Sequence, residues 1–388
     1  MYDIIVIGAG PCGSHIAQSL SHLGYRVIVV EKNVRPGDNI CCTGILSQEC
    51  LRDFALDNSL VLRQFSSAKF ISPSGKCLRL CRESPVAAIV DRVHLDTSLV
   101  KQAQEAGADY LFGAKATDIL PGSDAVKVSI ASHHQETILE AEAVVIATGF
   151  GSILPRKLSL GKIKQFAFGA QAEVAINGVD EVEFYFDPNL APGGFAWIAP
   201  TTNGKGLAGL LTRYQVDFHL KQFLKTLSYQ GKIASNEVAH SYGIIPLRPL
   251  SKTYTNRVLV VGEAAGQVKP TTGGGIYYGL LCADISVEVL HQAFLAGNFS
   301  AAILSDYQRK WRSRLNRELT IDYWAWVLLA KLRNNHIDYL FRIASKQGIP
   351  ELIATDNNFS FDWHSRLLLR MACHLIPFVR ASKPSIST

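Results

Sequence analysis

The chain opens on an unbroken apolar run from Asp3 to Ile7, with no alternation of apolar and polar positions. Such a run predicts a parallel strand buried on both faces. A helical stretch, SHIAQSLSHLG, follows and stops at Gly24, and a second apolar run from Arg26 to Val30 leads into Glu31. Similar runs recur far downstream, at Val144 to Ile146 and at Val258 to Val261. A helix is predicted over TSLVKQAQEAGA, after Asp96. In the middle of the chain the pattern changes. Gln165 to Ala175, Val182 to Phe186, Gly194 to Ile198 and Gly206 to Thr212 alternate or run apolar, with Gly and Pro turns between them. That predicts an antiparallel sheet inserted between the parallel-strand segments. After about residue 300 the pattern is helical, with Tyr307, Trp311, Leu315, Trp324, Trp326, Leu329, Leu332 and Leu340 recurring among Arg and Lys. The polar tail, Lys383 to Thr388, reads as loose.

The first turn carries chemistry. Between the first strand and its helix stands Gly8-Ala9-Gly10-Pro11-Cys12-Gly13, and about thirty residues complete a strand–GxGxxG–helix–strand–acid unit. Gly8 permits the tight turn, Gly10 lets the backbone approach a pyrophosphate, and Gly13 lets helix and strand pack closely. The helix start offers free N–H groups and a positive dipole end to phosphate. Glu31 would bond the adenosine ribose, and Lys32 is grouped with it as cofactor-binding. The unit alone does not separate FAD from NAD. The strand ending in Ala147-Thr148-Gly149 and the later strand ending in Gly262-Glu263-Ala264-Ala265-Gly266 favour FAD. A carboxylate at Glu263 can hold ribityl hydroxyls, or it can simply cap the next helix. Arg92 suits a phosphate or the ribityl chain, or is a surface arginine before a helix. The turn at Gly273, Gly274, Gly275 and Ile276 offers N–H groups to a flavin edge.

Composition narrows the class. The 388 residues suit two or three modules, and 48% hydrophobic with 19% charged residues is globular. No run of about 18 apolar residues predicts a transmembrane helix. The opening residues lack the basic region and cleavage site of a signal peptide, so a cytoplasmic protein with reduced thiols is expected. Eight cysteines without a CxxC indicate neither a metal site nor a disulfide framework. A net charge of +6 favours anionic membrane surfaces or phosphate-bearing substrates, and no basic run interleaved with aromatics suggests nucleic acid.

Four segments together resemble the geranylgeranyl reductase family, within the p-hydroxybenzoate-hydroxylase-like flavoproteins. They are the fingerprint, Cys41-Cys42-Thr43-Gly44-Ile45-Leu46-Ser47, the stretch YFDPNLAPGGFAWIAP from Tyr185 to Pro200, and GEAAGQVKPTTGGGI from Gly262 to Ile276. The resemblance implies an α/β fold: a Rossmann-type FAD-binding domain (1–60, 85–164 and 241–300), an inserted antiparallel sheet for substrate (61–84 and 165–240), and a helical C-terminal region (301–388). It implies a reductase that uses reduced FAD to saturate isolated C=C bonds of a geranylgeranyl or other polyprenyl group. Its partners would be a polyprenyl lipid or prenylated small molecule, and NADPH or a small ferredoxin-like electron carrier as reductant.

Catalytic expectations fall on Cys42, Phe195 and Trp197. Phe195 and Trp197 are two apart and share one strand face, a ligand channel or ordinary sheet core. Cys42, by the resemblance, lies near the flavin as proton donor or pocket wall; buried cysteines are also ordinary core. The C-terminal aromatics pack against the core or touch a membrane peripherally. Two positions depart from the family pattern: Glu263 stands for an aspartate, and Ala199 for an aromatic that would wall the prenyl pocket. The competing functions are a flavin monooxygenase of the same fold, an electron-transfer flavoprotein serving quinone, and a cofactor-free relic. Cys12, Cys50, Cys77, Cys81, Cys282 and Cys373 carry no functional reading.

Overall fold

A computed structural model describes residues 1–132, 135–202, 204–235 and 238–370. Cys373 and the tail Lys383–Thr388 lie outside them. The chain divides into two compact units: Met1–Cys42, Asp91–Phe166 and Ile244–Leu319, and then Thr43–Val90, Ala167–Gly243 and Thr320–Thr388.

The first unit is built on an eight-stranded sheet. Tyr2–Ile7 lies at its centre, parallel to Val27–Val30 on one side and to Gln135–Ile146 on the other. Val258–Val260 and Asp109–Leu111 extend the parallel set outwards. Ile4, Ile5 and Val6 are fully buried, as a strand covered on both faces requires. The strand Gln135–Ile146 does two jobs, and its sequence shows why. Its first residues, QETILE, are mostly exposed and pair antiparallel with Val126–Ser132, whereas its last four, AVVI, are fully buried in the parallel sheet. The helix Pro11–His22 packs on this sheet through Ile16, Ala17 and Leu20.

The helix predicted after Asp96 starts earlier, spanning Arg92–Glu105. Asp91 is its N-cap, its carboxylate accepting from the His94 amide at 3.0 Å. That moves Arg92 into the first helical turn. A short polar residue at the cap satisfies an otherwise orphaned amide, and here it outweighed the apolar spacing used to place the helix start.

The second unit holds a seven-stranded sheet in the order 240–246, 166–175, 205–212, 195–200, 182–185, 67–71, 77–81. From 166–175 through to 77–81 the neighbouring strands pair antiparallel, except Val182–Tyr185 against Ser67–Ile71, which run parallel. The helix Val216–Tyr229 covers one face of the sheet, burying Leu220, Phe223, Leu224 and Leu227. Those four sit at i, i+3, i+4 and i+7, the stripe of a helix laid on a core. A three-stranded sheet, 45–47, 87–90 and 61–65, completes the unit.

After residue 300 come the helices Ala301–Leu329, Asn334–Lys346 and Ile349–Ala354. Tyr307, Trp311 and Leu315 are fully buried, with the Tyr307 hydroxyl donating to the Val260 carbonyl at 3.1 Å and the Trp311 indole to Thr253 Oγ1 at 3.0 Å. Trp324 and Leu328, one turn apart, are instead 58% and 62% exposed. Among the described residues no helix is long and apolar enough to cross a membrane.

Candidate active site

The three fingerprint glycines sit in different surroundings. Gly8 has φ +109°, and a Cβ there would lie 2.4 Å from the Ala147 carbonyl oxygen. A Cβ on Gly13 would lie 1.9 Å from the Gly8 carbonyl oxygen. Both positions are closed by backbone, which cannot yield. Gly10 is different: its φ of −73° is open to any residue, and a Cβ there meets no protein atom within 4 Å. No side chain caps the helix that Gly10 begins. Open space over Gly10, beside uncapped helix amides, is the cradle a pyrophosphate requires.

Glu31, almost fully buried, reaches back to that turn. Its Oε2 accepts from the Ala9 amide at 2.9 Å and its Oε1 from the Asn33 amide at 2.8 Å. The carboxylate therefore ties the loops after both strands together, with lone pairs to spare beyond these two bonds. Lys32 beside it is exposed.

A second cluster gathers residues from five stretches of the first unit. Arg92 donates to Asp96 at 2.7 Å, also touches Cys42, and buries an Nε that has no hydrogen-bond partner among the described residues. Burial works against the guanidinium's charge, but Cys42 and Asp96 more than restore it, and its pKa stands above the usual arginine value. Glu263 lies with its Oε2 3.8 Å from where a Gly149 Cβ would be and its Oε1 3.3 Å from a Gly275 Cβ. Burial raises its pKa, with Arg92 and the Phe150 amide pulling the other way. Gly149 itself has φ +68°, and the Thr148 hydroxyl donates to its carbonyl at 3.3 Å. An orphaned guanidinium nitrogen and a half-buried carboxylate between two glycines fit polyhydroxyl and phosphate groups of a dinucleotide.

Cys12, which the sequence left without a role, is the packing pivot of this region. Its Sγ would lie 2.9 Å from a Gly262 Cβ and 2.5 Å from a Gly279 Cβ, so both glycines are small because the thiol fills the space. Burial, with Glu263 nearby, pushes that thiol's pKa up to about 12, which makes it a neutral packing group. Gly266 has φ +75° and would clash with the Arg248 carbonyl oxygen at 2.4 Å. Gly262 donates its amide to Gln267 Oε1 at 2.8 Å, and Gln267 Nε2 donates to Tyr307 at 2.9 Å. The turn Gly273–Gly275 then leads into the helix Ile276–Leu295, whose N-cap Gly275 carries no side chain to satisfy the first amides. Lys269, only 3% exposed, lies beneath this turn. Nothing in its spacing marks it as buried; only the closed turn does.

In the second unit the sheet face opposite the helix Val216–Tyr229 is aromatic. Register places Phe70, Phe184 and Trp197 in one row across three strands. Phe195 lies 5.8 Å from Trp197 and 5.9 Å from both Phe184 and Phe186, centroid to centroid. Phe195 and Trp197 thus share a face, and Phe70, Phe184 and Phe186 join them. The same two-residue spacing in 182–186 was the signal for the added rings. Trp197 lies over Gly209, where a Cβ would meet its Cζ2 at 2.5 Å, and its indole N–H is buried without a hydrogen-bond partner among the described residues. Ala199, where the family carries an aromatic, is fully buried in one cluster with Phe65, Ile89 and Val182.

Residues 2–181 match the pyridine nucleotide-disulphide oxidoreductase family. The chain is 30% identical over 353 residues to digeranylgeranylglycerophospholipid reductase 2 of Methanothermobacter thermautotrophicus, covering 88% of this chain and 91% of that one. It is 28% identical to the digeranylgeranylglycerophospholipid reductase of Methanocaldococcus jannaschii, over 88% and 90% of the two chains. A geranylgeranyl bacteriochlorophyll reductase-like protein of Thermoplasma acidophilum shares the fold, with a TM-score of 0.86 and 22% identity over 98% of each chain. With a dinucleotide cradle, a buried carboxylate behind it and relatives matched over nearly their full length, the chain belongs to the digeranylgeranylglycerophospholipid reductase family of FAD-dependent oxidoreductases.

Proposed function

We propose that this protein saturates isolated C=C bonds in the geranylgeranyl or other polyprenyl chains of a lipid. The observation that carries the reading is the five-ring face of Phe70, Phe184, Phe186, Phe195 and Trp197 in a chain of this family. An aromatic strip of this kind binds flexible hydrocarbon by area, without needing polar groups that a prenyl chain cannot engage. When bound, FAD supplies the hydride that an unpolarised alkene needs.

The chain's own residues do the rest. Gly10 and the start of Pro11–His22 hold the pyrophosphate, and Glu31 with Lys32 the adenosine end. Arg92, Thr148, Gly149 and Glu263 take the ribityl and phosphate groups, within the frame set by Gly8, Gly13, Gly262 and Gly266. Gly273, Gly274, Gly275 and Ile276 present amides to the ring edge. Phe195 and Trp197 keep the prenyl chain flat and exclude water. Cys42, half-buried beside Arg92, holds the proton that completes the reduction. The reductant is NADPH or a small ferredoxin-like carrier. Trp324 and Leu328, exposed on one helix, support peripheral contact with the membrane that holds such a lipid.

Anaerobic mixing of dithionite-reduced protein with digeranylgeranylglycerophospholipid tests this. Flavin should reoxidise as the lipid gains about two mass units per bond, one hydride and one proton each. Reoxidation by quinone but by no prenyl lipid would establish electron transfer instead. A hydroxylated product formed only with oxygen would establish a monooxygenase.

A further inference from the structure

Lys269 stands out among the charged groups that the reading above leaves unused. It follows a buried strand and a 3-10 turn, in a stretch where every residue from Ala264 to Pro270 is buried. Burying an ammonium costs several kcal/mol unless opposing charge or polarisable groups offset it. Its backbone and stem are fixed by the turn. Its amide donates to the Gly274 carbonyl at 3.0 Å, and its carbonyl accepts from the Gly273 amide at 2.8 Å, so its backbone closes the glycine turn. Its side chain then folds back beneath that turn. A Cβ on Gly274 would lie 2.9 Å from Lys269 Cε and 3.3 Å from Nζ. On the other side, Nζ is 5.9 Å from the ring of the fully buried Tyr278, a cation–π distance. Tyr278 belongs to the first turn of Ile276–Leu295, so the positive charge sits under the same helix start that leaves its amides uncapped. Gly274 is glycine because the lysine stem occupies the space that a side chain would fill.

We propose that Lys269 is a buried counter-charge that stabilises the reduced, anionic state of bound FAD, acting through the Gly273–Gly275 turn. Two electrons and one proton leave a reduced flavin ring with one negative charge, and a fixed cation close behind the amides that meet the ring favours that state. The field is strong because the group is removed from water. Lys269 is thus a positioning residue for charge and touches no substrate. The proposal rests on the reading that the turn meets the flavin's pyrimidine edge.

The test uses the FAD-loaded full chain and two readouts that do not depend on lipid turnover. Sulfite adds to oxidised flavin and leaves the ring anionic, so its affinity reports the same field. Lys269→Met should retain FAD, weaken sulfite binding about tenfold or more and lower the two-electron midpoint potential by about 30 mV or more, the equivalent of that tenfold change. Lys269→Arg should restore most of both. Retained FAD with unchanged sulfite affinity and potential overturns the proposal. Should Lys269→Met not hold FAD, Lys269→Gln is measured in the same way. Loss of FAD in both neutral variants overturns the counter-charge role in favour of a lysine needed only to close the turn. A wild-type protein that holds FAD and binds sulfite but reduces no lipid contradicts the proposed reaction while leaving the Lys269 measurement intact.

Discussion

Gly13 in the first unit and Gly209 in the second are both glycines that admit no Cβ, yet the walls around them differ. At Gly13 the obstacle is the Gly8 carbonyl oxygen, 1.9 Å away and five residues back in the chain. At Gly209 the first obstacle is Cζ2 of Trp197, at 2.5 Å, a side chain from one neighbouring strand, followed by the Ala170 carbonyl at 2.7 Å from the strand on the other side. The cofactor region is thus shaped by backbone over short sequence distances. The aromatic face is shaped by side chains as well as backbone, from strands that only sheet register brings together. Backbone constraints exclude substitutions outright, whereas side-chain constraints are graded, because a ring can shift.

That difference predicts a hierarchy of mutational effects. The largest should come from Gly13→Val, which drives a side chain into a carbonyl and should cost ~3 kcal/mol or more of stability by overpacking. Gly10→Val should leave the thermal midpoint of the FAD-free protein nearly unchanged, since no protein atom is in the way, yet abolish FAD retention. Similar destabilisation by both variants in thermal melts would break the distinction between the two glycines.

Trp197→Ala comes next. It removes a large ring from contact with Phe195 and from over Gly209, and should cost about 3 kcal/mol, at the low end for such truncations because the ring is only partly buried. Prenyl-lipid affinity should fall while the protein still purifies yellow. If FAD were lost together with lipid binding, the two regions could not be treated as separable.

Glu31→Ala should have an intermediate effect of about 1–3 kcal/mol, from leaving the Ala9 and Asn33 amides without their acceptor. Denaturant melts of the FAD-free protein would reveal it. If only FAD affinity changes, then the carboxylate serves the ribose rather than the loops.

The smallest effect has an unusual sign. Burial raises the folded-state pKa of Glu263 above its unfolded value near 4.5. The associated stability is fully present below the unfolded pKa and is lost as pH rises through the folded one. Glu263→Gln does not titrate, so without FAD it should be more stable than the wild type at neutral pH. The gap should close as pH falls towards 4.5. FAD should bind the variant more weakly. A variant less stable at pH 7 would mean that attraction to Arg92 outweighs burial.

Much of the first unit was legible because its signals are local. The apolar runs at 3–7, 26–30 and 144–146, the glycine spacing at 8–13 and the acid at 31 all lie within one βαβ unit or at a strand end, where covalent proximity dictates geometry. Arg92 shows the limit of such signals: apolar spacing placed it outside a helix that the Asp91 cap draws it into. The link of Arg92 with Cys42 and Glu263, and the thiol of Cys12 wedged between Gly262 and Gly279, join residues far apart in the chain. Nothing in their immediate neighbours announces these contacts.

What the sequence determined by itself is therefore the parallel strands at 3–7, 26–30, 144–146 and 258–261, the middle strands from 165 to 212, the dinucleotide turn and the face shared by Phe195 and Trp197, because periodicity and glycine stereochemistry act over a few residues. Tertiary structure decided which distant groups meet. Register added Phe70 and Phe184 to the aromatic face, ring contacts brought in Phe186, and packing gathered Ala199 with Phe65, Ile89 and Val182. Closure of the glycine turn buried Lys269, whose exposure depends on where the turn folds rather than on its neighbours in the chain. Burial and register are properties of the assembled core, and no window of adjacent residues contains them.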